Sequence, residues 1–107
     1  MRAFTILTGI AVAVVAIGHA VWAADMTVVQ KDKRFSMPSV QIKAGDRVVF
    51  LNDDTVTHNV YSTTKGHEFE IKTQAPGKSD SVKFDRSGVV VVECAIHPKM
   101  RLQVNVE

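Results

Sequence analysis

The stretch that decides the fold is VVVVECAIHPKMRLQVNV, residues 89–106. A continuous valine run is too short for an isolated helix and reads as a strand buried on both sides. It stops at Cys94, the only cysteine in the chain. After Met100 the pattern changes to strict alternation. Leu102, Val104 and Val106 take one face, and Arg101, Gln103 and Asn105 take the other. Pro98 disfavours a helical conformation at His97 and has no N–H to give to a ladder. Two strands joined by a tight loop follow, and that loop carries Cys94, His97 and Met100.

Upstream the same grammar repeats. MTVVQ, VQIK, RVVFLN, THNVYS and SVKF read as short strands, and AGD, NDD, TQAPGKSD and DRSG read as turns between them. KDKRFSMPSV reads as a loop or irregular edge. Phe69 and Ile71 of the polar stretch TTKGHEFEIK are expected to point inward, as are Val82 and Phe84 of SVKF. Beyond the N-terminal segment no stretch has a helical period. The expected fold is all-β, a small β-sandwich or barrel.

The N-terminal segment is different. MRAFTILTGIAVAVVAIGHAVWAAD has one cation, Arg2, and then no charge until Asp25. An apolar stretch ending in Val21-Trp22-Ala23 reads as a cleavable secretory signal, residues 1–23, cut after Ala23. The uncharged span is also long enough to serve as a retained membrane anchor, but Gly9, Gly18, His19 and the alanine-rich end favour cleavage. Residues 24–107 are then the working domain, expected in the periplasm and free of the membrane. The net charge of +2 is too mild to indicate nucleic acid, and neither a basic cluster nor an aromatic ladder suggests it.

Export sharpens the meaning of Cys94. A domain this small usually needs a staple, and one cysteine cannot form an internal disulfide. A bound metal would occupy the thiolate and add stability. Thiolate and thioether are soft donors and imidazole is borderline, so Cys94, His97 and Met100 suit copper and not magnesium, calcium or manganese. A second imidazole is needed, and His58 in DTVTHNVYS, just after a strong strand and an acidic turn, is the candidate. Cys94, His58 and His97 with a weak axial Met100 form the trigonal set of blue-copper electron-transfer sites. Singly, each residue has a plain reading: Cys94 and Met100 as core, His58 as surface. A cysteine hydrolase using His58 as base is the enzymatic alternative, but no oxyanion loop is evident and Met100 would be idle. Glu93 should face away from Cys94. Asp53 and Asp54 read as turn residues. His67 reads as a surface residue, with Glu68 or Glu70 as partners in any weaker second copper site.

These residues resemble the cupredoxins, in the plastocyanin, amicyanin and pseudoazurin group. CAIHPKMR matches the short loop pattern Cys-x-x-His-Pro-x-Met-Arg, THNV is similar to the family's first histidine segment, and QIKAGDRVVFLND is similar to the strand pair leading to it. The resemblance spans roughly residues 40–107. It implies a Greek-key β-sandwich holding one type-1 copper ion through His58, Cys94, His97 and Met100. It also implies that Asn59 ties the two ligand loops together and that the His97 edge reaches the surface. The implied function is a monomeric, non-enzymatic electron carrier whose transient partner is a cytochrome or periplasmic oxidoreductase. Copper tolerance or delivery is the alternative use of the same site. Lys99 departs from the pattern, placing a cation where many members present an apolar patch.

Overall fold

A computed structural model describes residues 23–107 together with the isolated Gly9. The expected signal segment therefore lies outside the described residues, apart from Gly9 and Ala23. Among the described residues nine strands form two sheets: β1 (Asp25–Lys31), β2 (Arg34–Phe35), β3 (Ser39–Ile42), β4 (Arg47–Asn52), β5 (Val60–Ser62), β6 (Phe69–Glu70), β7 (Ser79–Lys83), β8 (Gly88–Cys94) and β9 (Arg101–Val106). One sheet has the order β2-β1-β4-β7 and the other β3-β9-β8-β5-β6. There is no helix among the described residues.

Two pairings are parallel, β1 with β4 and β3 with β9. Parallel neighbours cannot be joined by a hairpin. The chain leaves the first sheet after β2, contributes β3 to the second sheet, and returns as β4 beside β1. This crossing between sheets gives the sandwich its Greek-key character. The expected all-β sandwich is the observed fold.

The core lies between the two sheets. Val28, Val48 and Phe50 come from the first sheet; Val60, Val90, Val92, Leu102 and Val104 come from the second, and all are fully buried. Phe50 is the central ring. Phe35 meets it edge-on with centroids 6.4 Å apart, and Phe69 stacks on it from the opposite sheet at 6.1 Å. Phe69 in turn meets Phe84 edge-on at 5.9 Å. Such aromatic pairs add stability beyond the area they bury. Phe69, Ile71 and Val82 pack against this core, as their phase in the sequence predicts.

The valine run is where sequence and structure part. Val90, Val92 and Cys94 face the core, but Val89 is 56% exposed and Val91 is half-buried. A two-layer sandwich has only one inner face per sheet, so β8 alternates although its sequence does not. The KDKRFSMPSV segment takes the edge form of its two readings, with β2 at the edge of the first sheet. Arg34–Phe35 pairs antiparallel with Lys31 and Gln30 to close a hairpin.

At the end of the sandwich away from Cys94, Asp46 organises the turn before β4. Its Oδ1 accepts the Ala24 N–H at 2.9 Å and its Oδ2 accepts the Lys43 N–H at 2.8 Å. These main-chain donors, Ala24 first and then Lys43, hold the Asp46 carboxyl below the usual carboxylate range. A carboxyl depressed on folding contributes stability that is complete above its unfolded pKa and lost as pH falls through its folded one. Asp46→Asn is therefore expected to lower the thermal midpoint at neutral pH and to flatten its decline between about pH 5 and pH 2. Thermal melts of both proteins across that range check this; parallel acid limbs would refute it.

Candidate metal centre

Antiparallel pairing of β5 with β8 sets Val60 opposite Cys94 and Tyr61 opposite Glu93. His58 lies two residues before Val60 and so emerges at the end of the sandwich where Cys94 ends its strand. It is held there from the other side by a two-way main-chain bridge with Gln74, His58 N–H to Gln74 O at 3.0 Å and Gln74 N–H to His58 O at 2.8 Å. After Cys94 the chain turns at once. Met100 N–H bonds His97 O at 3.0 Å, closing a four-residue turn with Pro98 in its second position, where a fixed φ is favoured.

Four sequence-selected residues therefore share one end of the sandwich, and three of them converge on one point. Cys94 Sγ is 3.7 Å from His58 Nδ1 and 3.7 Å from His97 Nδ1, and the two Nδ1 atoms are 3.2 Å apart. Among the described residues these three form a group suited to a metal. Donors about 2.0–2.3 Å from a common ion, the lengths of metal–imidazole and metal–thiolate bonds, stand about 3.2–3.8 Å apart for bond angles of about 105–120°. The observed triangle fits. His58 and Cys94 are buried, at 0% and 1% exposure, and His97 is half-buried. Met100, 2% exposed, is buried at the end of the same loop.

Each donor is oriented by the chain. Asp54 Oδ2 accepts from His58 Nε2 at 3.0 Å, which puts the ring proton on Nε2 and leaves the Nδ1 lone pair facing Cys94 and His97. The Asp54 carboxylate is itself fixed by the Lys33 N–H at 2.8 Å and the Thr55 N–H at 2.8 Å. Those two main-chain donors, Lys33 foremost, and the His58 ring hold its carboxyl below the ordinary range. Burial, then the neighbouring His58 and Lys33, push His97 below the usual imidazole range, keeping it neutral and able to donate a lone pair. Asn59 N–H donates to Cys94 Sγ at 3.3 Å, and Ala95 N–H donates to Asn59 O at 3.0 Å. Asn59 thus ties the two ligand segments through its main chain. Its own Oδ1 is buried and finds no partner among the described residues.

Three buried amides support this arrangement, and the sequence reading missed all of them along with Asp54. Asn52 Nδ2 donates to Val56 O at 3.0 Å and Gln74 O at 2.9 Å, and its Oδ1 accepts the Asp54 N–H at 3.0 Å. Gln74 Nε2 donates to Phe50 O and Asp80 Oδ2, and its Oε1 accepts from Gln30 Nε2. A signal existed for two of them. Gln30 and Asn52 fall on the inward phase of their strands, after Val28 and after Val48 and Phe50, and they are register partners. A polar residue on an apolar phase marks a buried network. Gln74 lies in a turn-like stretch with no such phase.

The remaining candidates lie apart from the centre. Glu93 faces outward as expected, accepting from Tyr61 OH at 3.1 Å and lying 3.8 Å from Arg101. His67 packs over Gly88, at the other end of β8. Gly88 has φ +142°, and an added Cβ there would stand 3.1 Å from His67 Cε1. His67 Nε2 is 3.0 Å from Arg86 O, and no metal-suited group includes it among the described residues.

Comparison with known proteins agrees with this geometry. The family model for copper-binding proteins of the plastocyanin/azurin family matches residues 22–107. The methylamine utilization protein MauL of Methylorubrum extorquens is 36% identical over 70 residues, covering 64% of this chain and 61% of that protein. Amicyanin-alpha of the same organism is 35% identical over 78 residues, covering 69% and 65%. The chain therefore spans just under two thirds of the length of these curated relatives. The amicyanin structure from Paracoccus versutus aligns with a TM-score of 0.70 at 29% identity, over 78% of this chain and 81% of that one. A purple cupredoxin from Nitrosopumilus maritimus shares the fold, with a TM-score of 0.69 at 23% identity over 78% and 100%.

Groups that orient a metal-binding imidazole typically contribute 10–100-fold to affinity. Asp54→Asn is expected to weaken binding at the Cys94–His58–His97 triangle by about that factor. Competitive titration of both proteins against a chelator measures it; unchanged affinity would remove Asp54 from the site.

Proposed function

The chain belongs to the plastocyanin/azurin family of copper-binding proteins, and on that premise we propose that it is an exported type-1 copper protein carrying single electrons between redox partners. His58, Cys94 and His97 would hold the ion through their imidazole and thiolate donors, and Met100 would add a weaker thioether donor. The observation that carries this reading is the convergence of one thiolate and two imidazole nitrogens at 3.2–3.7 Å. This donor set fits one type-1 copper ion.

Bound copper supplies the Cu(I)/Cu(II) couple; the chain's part is to keep its donors still. Cu(II) on its own favours tetragonal nitrogen and oxygen ligands, and a soft trigonal set suits both oxidation states moderately. Asp54 fixes the plane of His58, the Gln74 bridge fixes its main chain, and the Asn59 clasp fixes Cys94 against it. The Asn59 N–H also stabilises negative charge on the sulfur. Burial of His58, Cys94 and Met100 excludes water, leaving the half-buried His97 as the route by which electrons reach the surface. A carrier of this kind is not an enzyme, and its partners are cytochromes or other periplasmic oxidoreductases met transiently by a monomer.

Residues 24–107 are the proposed working domain. Cleavage after Ala23 would leave the new amino terminus 2.9 Å from Asp46 Oδ1, where a charged amine is well placed. The mass of the exported protein should correspond to loss of residues 1–23; a full-length mass would make the segment an anchor.

Adding Cu(II) should produce an intense thiolate-to-copper charge-transfer band that is absent in Cys94→Ser. The loaded protein should be reduced and reoxidised repeatedly without releasing copper. A colourless protein that prefers zinc would overturn the site, and electron exchange slower than metal transfer would favour copper delivery.

A further inference from the structure

The surface around His97 has a charge of its own. Ile96 is 54% exposed and Pro98 is exposed beside it. With His97, Lys33, Arg34 and Lys99 they line a shallow depression, and no carboxylate is among its lining residues in the described part of the chain. None of the three cations makes an ion pair among the described residues.

Two of those cations come from a turn held in an uncommon conformation. Lys31 pairs with Arg34, so Asp32 and Lys33 alone form the hairpin loop. Both are in the left-handed region, with φ 53° and 57°. Two-residue loops of this kind usually carry Asn-Gly or Asp-Gly, because glycine reaches positive φ without steric cost. Here lysine occupies the glycine position. It is kept there by its N–H bond to Asp54 Oδ2, the same oxygen that orients His58. Strain of this kind persists where surrounding structure enforces it, and it concentrates at functional sites. The ammonium group at residue 33 is the part of Lys33 that a glycine would lack.

Resting on the electron-carrier reading of the copper site, we propose that Lys33, Arg34 and Lys99 around Ile96 and Pro98 form a docking face for an acidic patch on the redox partner. The apolar centre excludes water at contact, and the cations steer and select. Steering by such a ring raises association rates and weakens as salt screens it. An apolar centre with only three cations around it suits a protein surface better than a polyanion backbone, which needs a row of phosphate contacts. The pinned Lys33 turn places this ring within one carboxylate of a copper ligand.

Cytochrome c, which is basic, and its succinylated, acidic form provide probes of opposite charge with the same haem. In an NMR titration of the 15N-labelled Cu(I) or metal-free protein, the acidic form should shift the amides of residues 33–34 and 96–99, and native cytochrome c should not. In stopped flow at low salt, electron transfer with the acidic form should be at least about tenfold faster than with the native form, a preference that fades with added salt. Lys33→Glu/Arg34→Glu/Lys99→Glu should abolish both effects. Lys43→Glu/Lys65→Glu/Lys83→Glu, the same change in formal charge away from this face, should leave them. Shifts mapping elsewhere, or equal effects of the two triple variants, would overturn the docking face. Correct shifts without electron transfer would uphold the face and overturn the carrier reading.

Discussion

Everything at the copper end depends on two hydrogen bonds that extend the β5–β8 ladder beyond its strands. Asn59 N–H reaches Cys94 Sγ, and Ala95 N–H reaches Asn59 O. Together they bind the segment carrying His58 to the loop carrying Cys94 and His97. Strand ends are ordinarily places where a chain frays. Here the ladder ends on a sulfur, so the place where pairing stops is also the place where a candidate donor atom is fixed. Because the clasp uses main-chain groups, it constrains position more than identity at residue 59.

Behind that clasp lies a polar interior that a core built for stability alone would not hold. His58, Asn52, Gln30 and Gln74 are all fully buried. Burying amides carries a desolvation cost unless each finds partners. They find one another and the main chain around Phe50, Val56 and Gln74, with Gln30 Oε1 left without a partner among the described residues. The network leads from the middle of the first sheet to the His58 main chain and to Asp54. It braces the metal-binding end from within the fold, which suits a site whose two oxidation states must share one geometry.

What could be read in the sequence followed from periodicity and donor chemistry. Leu102, Val104 and Val106 were legible because period-2 alternation has one structural meaning. Cys94, His97 and Met100 were legible because soft donors at that spacing on a short loop favour few ions. Asp54 was not. An aspartate in a turn after a strand has a sufficient local explanation, and only the folding of the Lys33 hairpin onto it and of His58 over it gives it another. Gln74 was hidden for a related reason: its partners stand 16 and 44 residues away at His58 and Gln30. The valine run misled because continuous apolarity can mean two buried faces or one, and the number of layers decides.

By itself, then, the sequence determined the chemistry: which residues could bind copper, which strands would carry them, and that the fold would be all-β. These are local properties of residue type and spacing. The tertiary structure alone decided how the ligands are held and what surrounds them. The carboxylate that turns His58, the amides beneath it, and the cationic rim that Lys33 and Arg34 build beside His97 all arise from pairings between distant segments. Such pairings leave no periodic trace in the chain, because a contact across the fold is fixed by register and packing and not by neighbours in sequence.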